Sequence, residues 1–285
     1  MTARPHRSRN DTWAGQWWRH ALLVPVTVLT LYPVLWVLKM ALTPQESFEL
    51  SASPLPDLSQ VSLVNFEVLL GSSLFWRQML NSLLVAAATT VVGILLSCTA
   101  AYSFSRFEFP GRKVGMTGLL VTQMFPGVLV AIPLYILMDM AGLLNSLTGL
   151  TLCYATTAIP FCVWMLKGYF DTIPRDLEEA ALLDGASRWM IFTRIILPLS
   201  RPAIAVTALF SFMTAWNEFI LAATFMNRAS AYTVPVALQA YVGDRSTDWG
   251  LFAAGAVVVS LPVMALFFAL QKQLVEGLTA GSVKG

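Results

Sequence analysis

Residues 82–104 read SLLVAAATTVVGILLSCTAAYSF, a run without a charged residue. A bilayer core of about 30 Å takes about 20 apolar residues of helix. Backbone N–H and C=O groups in hydrocarbon must pair within their own segment, so such a run is a helix rather than a strand. Five further stretches obey the same rule: Ala21 to Leu42 (interrupted by Lys39), Val114 to Met138, Leu143 to Leu166, Pro202 to Met226 (interrupted by Glu218) and Gly250 to Leu270. The predicted fold class is therefore all-α, a polytopic membrane protein with six transmembrane helices.

Composition agrees. The 285 residues are 56% hydrophobic and 12% charged, with mean hydropathy +0.67, whereas soluble domains carry about a quarter charged residues. A net charge of +2 gives no reason to expect a nucleic-acid partner; the information lies in where the basic residues fall. With the N-terminus inside, the inner segments hold Arg4, Arg7, Arg9, Arg19, Arg106, Arg112, Lys113, Lys167, Arg175, Arg188, Arg194, Arg201, Lys272 and Lys284, against Arg77, Arg228 and Arg245 outside. The positive-inside rule then predicts that both termini are cytoplasmic. Residues 1–20 read as a cytoplasmic tail and 21–285 as the transmembrane domain, with an inner loop at 167–201 and a C-terminal tail at 272–285. The first apolar stretch exceeds the about 7 to 15 residues of a signal-peptide core and lacks a small-residue cleavage site, so it is expected to persist as a span.

Metal and redox chemistry find little footing. Cys98, Cys153 and Cys162 lie inside apolar runs without ligand spacing and read as small buried hydrophobes. His6 and His20 sit near the basic N-terminus without partners at ligand spacing.

Two loops differ from plain connectors. The outer segment Thr43 to Asn81 has room for a short helix around Asn65 to Leu70. The inner segment from Asp171 reads DTIPRDLEEAALLDGASRWMIFTRIILPLSRP. Pro174 suits the first turn of a helix, where Asp176, Glu178 and Glu179 meet the positive end of its dipole. Gly185 fits a left-handed cap, Ser187 the N-cap of a second helix, and Pro198 the approach to the fifth span. The result is a cytoplasmic helix-turn-helix between spans four and five. Ala180 and Ala181 leave one side thin, while Leu177, Leu182, Leu183, Trp189, Met190, Ile191 and Phe192 supply apolar area. On the residues alone, this area either awaits a partner or lies on the membrane or the chain's own bundle.

The spacing Glu179-Ala180-Ala181, three residues, Gly185, nine residues, Ile195, one residue, Leu197-Pro198 resembles the signature loop of ABC importer permeases. Asn81-Ser82-Leu83, Phe109-Pro110-Gly111, Gln123-Met124-Phe125-Pro126 and Trp216-Asn217-Glu218-Phe219 resemble carbohydrate-import permeases. The ending Gly277-Leu278-Thr279-Ala280-Gly281-Ser282-Val283-Lys284-Gly285 is similar to the tail of the smaller membrane subunit of maltose/maltodextrin transporters. The resemblance implies a permease subunit of an ATP-driven, binding-protein-dependent sugar importer, working beside a homologous larger permease subunit, a dimer of ABC ATPase subunits and an extracytoplasmic sugar-binding protein, in the bacterial inner membrane. It implies that the loop docks as a coupling helix with Glu179 making a polar contact, that Gly281 to Gly285 reach between the ATPase chains, and that the outer loop with Gly243, Asp244 and Arg245 faces the binding protein. Read without the resemblance, the tail is a disordered end and the outer loop a solvated connector.

The chain has no GxxxxGK[ST] phosphate loop, so it is not expected to be an enzyme or to bind a cofactor; ATP and Mg would sit on the partner ATPases. Glu218, an acid within a span, and its neighbour Asn217 admit two readings: they line the pathway, or they make an interhelical or interface hydrogen bond. Pro126, Pro133 and Pro160 are expected to bend or loosen their helices. The rival readings are an ion-coupled secondary transporter, which would want several midplane polar groups, and a non-transport membrane scaffold.

Overall fold

The computed structural model describes residues 13–44, 61–242 and 248–280, with side chains described for 17–44, 61–242 and 248–273. Among them every regular element is a helix. Four helices are long and apolar enough to cross a membrane: α1 (Trp13–Leu42), α3 (Ser73–Arg106), α6 (Leu147–Thr172) and α13 (Trp249–Ala280). The count rises to six if each of two bent helix pairs is one span.

The predicted third span is not continuous. α4 (Arg112–Gln123) and α5 (Gly127–Met140) meet at 103°. Pro126 caps α5 in an extended conformation, as expected of a residue that has no N–H and fixes its own φ. Pro133 and Pro160 lie inside α5 and α6, so the sharp break falls at one proline of the three. The predicted fifth span also divides, into α10 (Arg201–Trp216) and α11 (Ile220–Phe225) around Asn217 to Phe219. The short helix expected near Asn65 is α2 (Val64–Gly71).

The described chain forms two compact units, one from residues up to Gly71 with Tyr241–Val258, the other from Ser72–Ala240 and residues from Val259. In the first, α1 turns most of its apolar side chains outward. Buried Asn65 closes its end, donating from Nδ2 to the carbonyls of Ala41 (3.0 Å) and Thr43 (3.1 Å), which the end of a helix leaves without intrahelical partners.

In the second unit α3 and α6 pack along each other most extensively, with α10 against both. Small residues make this close approach feasible: a Cβ on Gly93 of α3 would sit 3.4 Å from Ser211 Oγ of α10, and Thr89, Ser97 and Thr207 are fully buried. Such residues at helix crossings let backbones approach where lipid supplies no hydrophobic drive. Cys98, Cys153 and Cys162 are buried here. Ser72 and Ser146 cap α3 and α6, accepting from the N–H groups of Phe75 (3.3 Å) and Gly149 (3.4 Å).

Three further side chains fix a connector. Gln78 donates to the carbonyl of Ala229 (2.9 Å), and Asn81 to those of Ser230 and Tyr232 (3.0 Å each). Ser82 Oγ accepts from Val234 N–H (2.7 Å), the first residue of α12 (Val234–Gln239). The Asn81-Ser82 pair picked out by resemblance thus has a physical task, satisfying backbone groups of Ser230, Tyr232 and Val234.

Candidate functional site

After α6 the chain makes the predicted two-helix elbow. α7 (Asp176–Leu183) begins with Asp176, Glu178 and Glu179 in its first turn, where negative charge opposes the helix dipole. It ends in a Schellman cap: Ala186 N–H donates to Ala181 C=O (2.9 Å) and Gly185 N–H to Leu182 C=O (3.0 Å), with Gly185 at φ +84°. Ser187 Oγ then accepts from Met190 N–H at 3.2 Å, starting α8 (Arg188–Ile191). Next comes a π-turn over Phe192–Ile196, in which Leu197 N–H reaches back to Phe192 C=O. Pro198 follows in α9 (Leu197–Leu199); a proline ring crowds the carbonyl four residues earlier, which accords with a widened turn just before it. The α8–α9 run meets α10 at 77°.

The apolar residues of the elbow divide between two destinations. Ile191, Phe192 and Ile196 are buried with Cys98, Ala101 and Tyr102 of α3 and Val163, Leu166 and Phe170 of α6. The rings of Tyr102 and Phe192 lie 4.9 Å apart. In the opposite sense, Leu183 is 90% and Trp189 67% exposed, with Leu177 and Met190 also outside. The signature residues divide likewise. Glu179, Ala180, Gly185 and Pro198 are exposed, whereas Ala181, Ile195 and Leu197 pack against the elbow's own core.

A polar cluster that has no local mark in the sequence lies at the root of the elbow. Glu178, not Glu179, is the buried acid, 3% exposed. Its carboxylate pairs with Arg106 Nε and accepts from the Tyr102 hydroxyl at 3.0 Å. Arg106 also donates to Ser105 Oγ and to the carbonyl of Ile173, both at 3.0 Å. Ser105 in turn donates to Asp171 at 2.6 Å, Asp171 pairs with Lys167 at 2.5 Å, and Arg175 donates to the carbonyl of Ser105 at 3.3 Å. Burial pushes the Asp171 carboxyl up, but the hydrogen bonds from Lys167 and Ser105 and the charges of Lys167 and Arg106 outweigh it and hold the group below the usual 3.8. The last turn of α3, the end of α6 and the start of α7 are thereby tied together.

The two helix breaks share a second feature, a cavity of about 700 Å³ lined by Gln123, Gly127, Thr156, Pro160 and Glu218 among others. Glu218 is not free: the Tyr154 hydroxyl of α6 donates to its backbone carbonyl at 3.5 Å. Its two carboxylate oxygens accept from the N–H groups of Leu221 (2.9 Å) and Ala222 (3.2 Å), capping α11. Asn217 donates back to Met213 C=O at 2.9 Å, and Gln123 to Thr157 C=O at 2.9 Å. Interrupted helices whose freed backbone groups are re-satisfied around a cavity are tolerated at membrane depth.

Residues 93–279 match the family described as the inner membrane component of binding-protein-dependent transport systems. The chain belongs to this family. Relatives of this permease include the diacetylchitobiose uptake system permease protein DasC of Streptomyces coelicolor, 32% identical over 95% of this chain and 98% of its own. The galactooligosaccharides transport system permease protein GanQ of Bacillus subtilis is 37% identical over 93% of this chain and 94% of its own. The maltose/maltodextrin transport system permease protein MalG of Escherichia coli is 37% identical over 93% and 95%. A crystal structure of a bacterial ABC transporter involved in the import of the acidic polysaccharide alginate shares the fold, with a TM-score of 0.76 at 22% identity over 95% of this chain and 100% of that one. Two sets of sequence-derived site residues, Gly243, Asp244 and Arg245 and the tail Gly281, Ser282, Val283, Lys284 and Gly285, lie outside the described residues.

Proposed function

We propose that this permease is one membrane subunit of an ATP-driven importer of a sugar, in the range from disaccharides to short oligosaccharides. It would have six spans and both termini in the cytoplasm of a bacterial cell, and would form half of the pathway beside a homologous, larger permease subunit. Support for the substrate class comes from the relatives, whose names specify diacetylchitobiose, galactooligosaccharides and maltodextrin. The observation that carries the mechanism is the elbow: an apolar tip turned outward at Leu183 and Trp189 on a root that is buried. Exposed apolar area of this kind marks a docking site, and a root locked into the bundle passes a push onward as rigid-body motion.

In this reading two ATPase subunits hold ATP and Mg, and their closure moves the elbow. Glu179 and Ala180, exposed on α7, meet the ATPase surface, and Gly185 sets the angle between α7 and α8. Residues 281–285 reach between the ATPase chains, and residues 243–245 face a sugar-binding protein outside. The cavity at the breaks forms this subunit's wall of the pathway. Glu218, already committed to two backbone donors, is poorly suited to carry a coupling proton, which weighs against ion-coupled transport.

The test is reconstitution of the permease pair, ATPase and binding protein in proteoliposomes. ATP-dependent, vanadate-sensitive sugar uptake is expected, and Leu183→Asp or Gly185→Arg should abolish it while leaving the permease in the membrane. Uptake that persists without ATP, or that ignores both substitutions, would overturn the reading.

A further inference from the structure

We propose that Arg106 and Glu178 are positioning residues that latch the coupling elbow to α3, so that movement delivered at its exposed tip reaches the bundle without slack. The inference deepens the importer reading and rests on it. The two glutamates of α7 have separate duties. Successive residues on a helix point about 100° apart, so with Glu179 outside, Glu178 enters the groove between α3 and α7, its side chain 4% exposed against 5% for Arg106.

Adhesion alone does not call for this pair. The elbow is already held by Ile191, Phe192 and Ile196 against α3 and α6, and a buried ion pair is weak evidence for stability because both charges must leave water. What the pair adds is a fixed geometry. The guanidinium fork is planar and rigid, and here it engages three places at once: the Glu178 carboxylate on α7, the Ile173 carbonyl in the connector, and Ser105 Oγ on α3, which itself reaches Asp171 on α6. The Tyr102 hydroxyl holds the second carboxylate oxygen. An apolar contact can slide by a rotamer, but this arrangement has one register.

The experiment uses the complete transporter in proteoliposomes. Glu178→Gln, Arg106→Gln, the milder Arg106→Lys, the exchange R106E/E178R and the control Glu179→Gln are compared in three measurements: ATPase retained per permease in detergent, sugar imported per ATP hydrolysed, and hydrogen exchange over residues 176–183. Glu178→Gln and Arg106→Gln are expected to retain the ATPase and hydrolyse ATP, yet import at least tenfold less sugar per ATP, with exchange in α7 raised at least tenfold. Arg106→Lys should fall between, and the exchanged pair should stay as impaired as the single variants, because a carboxylate at 106 cannot donate to the Ile173 carbonyl or to Ser105 Oγ. Glu179→Gln should instead weaken ATPase retention with α7 exchange unchanged. A parental sugar-to-ATP ratio in both single variants overturns the proposal. So does loss of the ATPase from Glu178→Gln with unchanged α7 exchange, which would make Glu178 a docking contact. Should the parent itself import nothing, the importer reading fails on its own, and α7 exchange still decides whether the latch exists.

Discussion

Replacing Gly185 isolates backbone conformation from contact. Nothing lies within 4 Å of where its Cβ would be, so alanine meets no clash and the substitution acts through φ, which is +84°. An L residue held in the left-handed region costs roughly 1–2 kcal/mol. The alternative is to abandon the turn and lose the hydrogen bonds from Ala186 N–H to Ala181 C=O and from Gly185 N–H to Leu182 C=O, each contributing about 0.5–1.5 kcal/mol. The cheaper route sets the ceiling, about 2 kcal/mol, and the far end of α7 stays anchored through Glu178. The chain should therefore fold, with the angle between α7 and α8 loosened. If the whole penalty appears in docking, ATPase binding weakens about 5- to 30-fold, since each 1.4 kcal/mol is a factor of ten. Titrating immobilised permease with ATPase subunits in detergent should rank Gly185 above Asn, Asn above Ala and Ala above Val, because asparagine tolerates this conformation and a β-branched residue does not. Equal affinity for Gly, Asn, Ala and Val would refute the argument. So would equal losses for Asn and Val, which would point to side-chain bulk at the interface instead.

Glu218→Ala removes the acceptor for Leu221 and Ala222 N–H and should destabilise α11 by about 1–2 kcal/mol, the usual cost of a lost cap, with Glu218→Gln losing less than half of that; thermal unfolding in detergent provides the comparison. Asn81→Ala strands the carbonyls of Ser230 and Tyr232 at about 1–3 kcal/mol, and hydrogen exchange should rise across residues 229–234 while the elbow stays unchanged. Asp171 gives a pH signature. Its folded value lies below 3.8, so its contribution is fully present above the unfolded pKa and is lost as pH falls through the folded one. Asp171→Asn should therefore flatten the acid limb of a Tm-against-pH curve below about pH 4 and leave the slope from pH 6 to 8 alone; an altered slope near neutrality would contradict the assignment.

Hydropathy located the apolar stretches because lipid imposes one rule on every span, and turn chemistry placed Gly185 and Ser187 because left-handed φ and N-caps are local properties. The breaks were only half legible. Pro126 announced a bend, but so did Pro133 and Pro160, which sit inside continuous helices; which proline becomes a break depends on whether neighbours re-satisfy the freed backbone. Glu218 stood out as an acid in an apolar run, yet its purpose depends on the break beside it. The root of the elbow was illegible for a different reason. Arg106 and Glu178 are 72 residues apart, and Arg106 counted only as one more inner positive charge. The doublet Glu178-Glu179 carries no local mark telling which acid turns inward; packing of α7 against α3 decides that.

The elbow and the cavity are joined mechanically by α6. Asp171, near its end, belongs to the cluster at the elbow's root, and Thr157 and Pro160, farther along, line the cavity. Fourteen residues of helix separate Asp171 from Thr157, about 21 Å at 1.5 Å per residue. If α6 tilts rigidly with the elbow by about 10°, the cavity wall moves about 4 Å over that lever arm, roughly half the width of a sugar ring with its hydroxyls. α10 leaves the elbow directly after α9 and ends at Trp216, two residues before the cavity-lining Glu218. Pro160 inside α6 does not break it, which the lever requires. The breaks lie at Met124 to Pro126, between α4 and α5, and at Asn217 to Phe219, just past the end of α10, so neither falls within α6 or α10. There they give the wall freedom to change shape without softening the connection to the elbow.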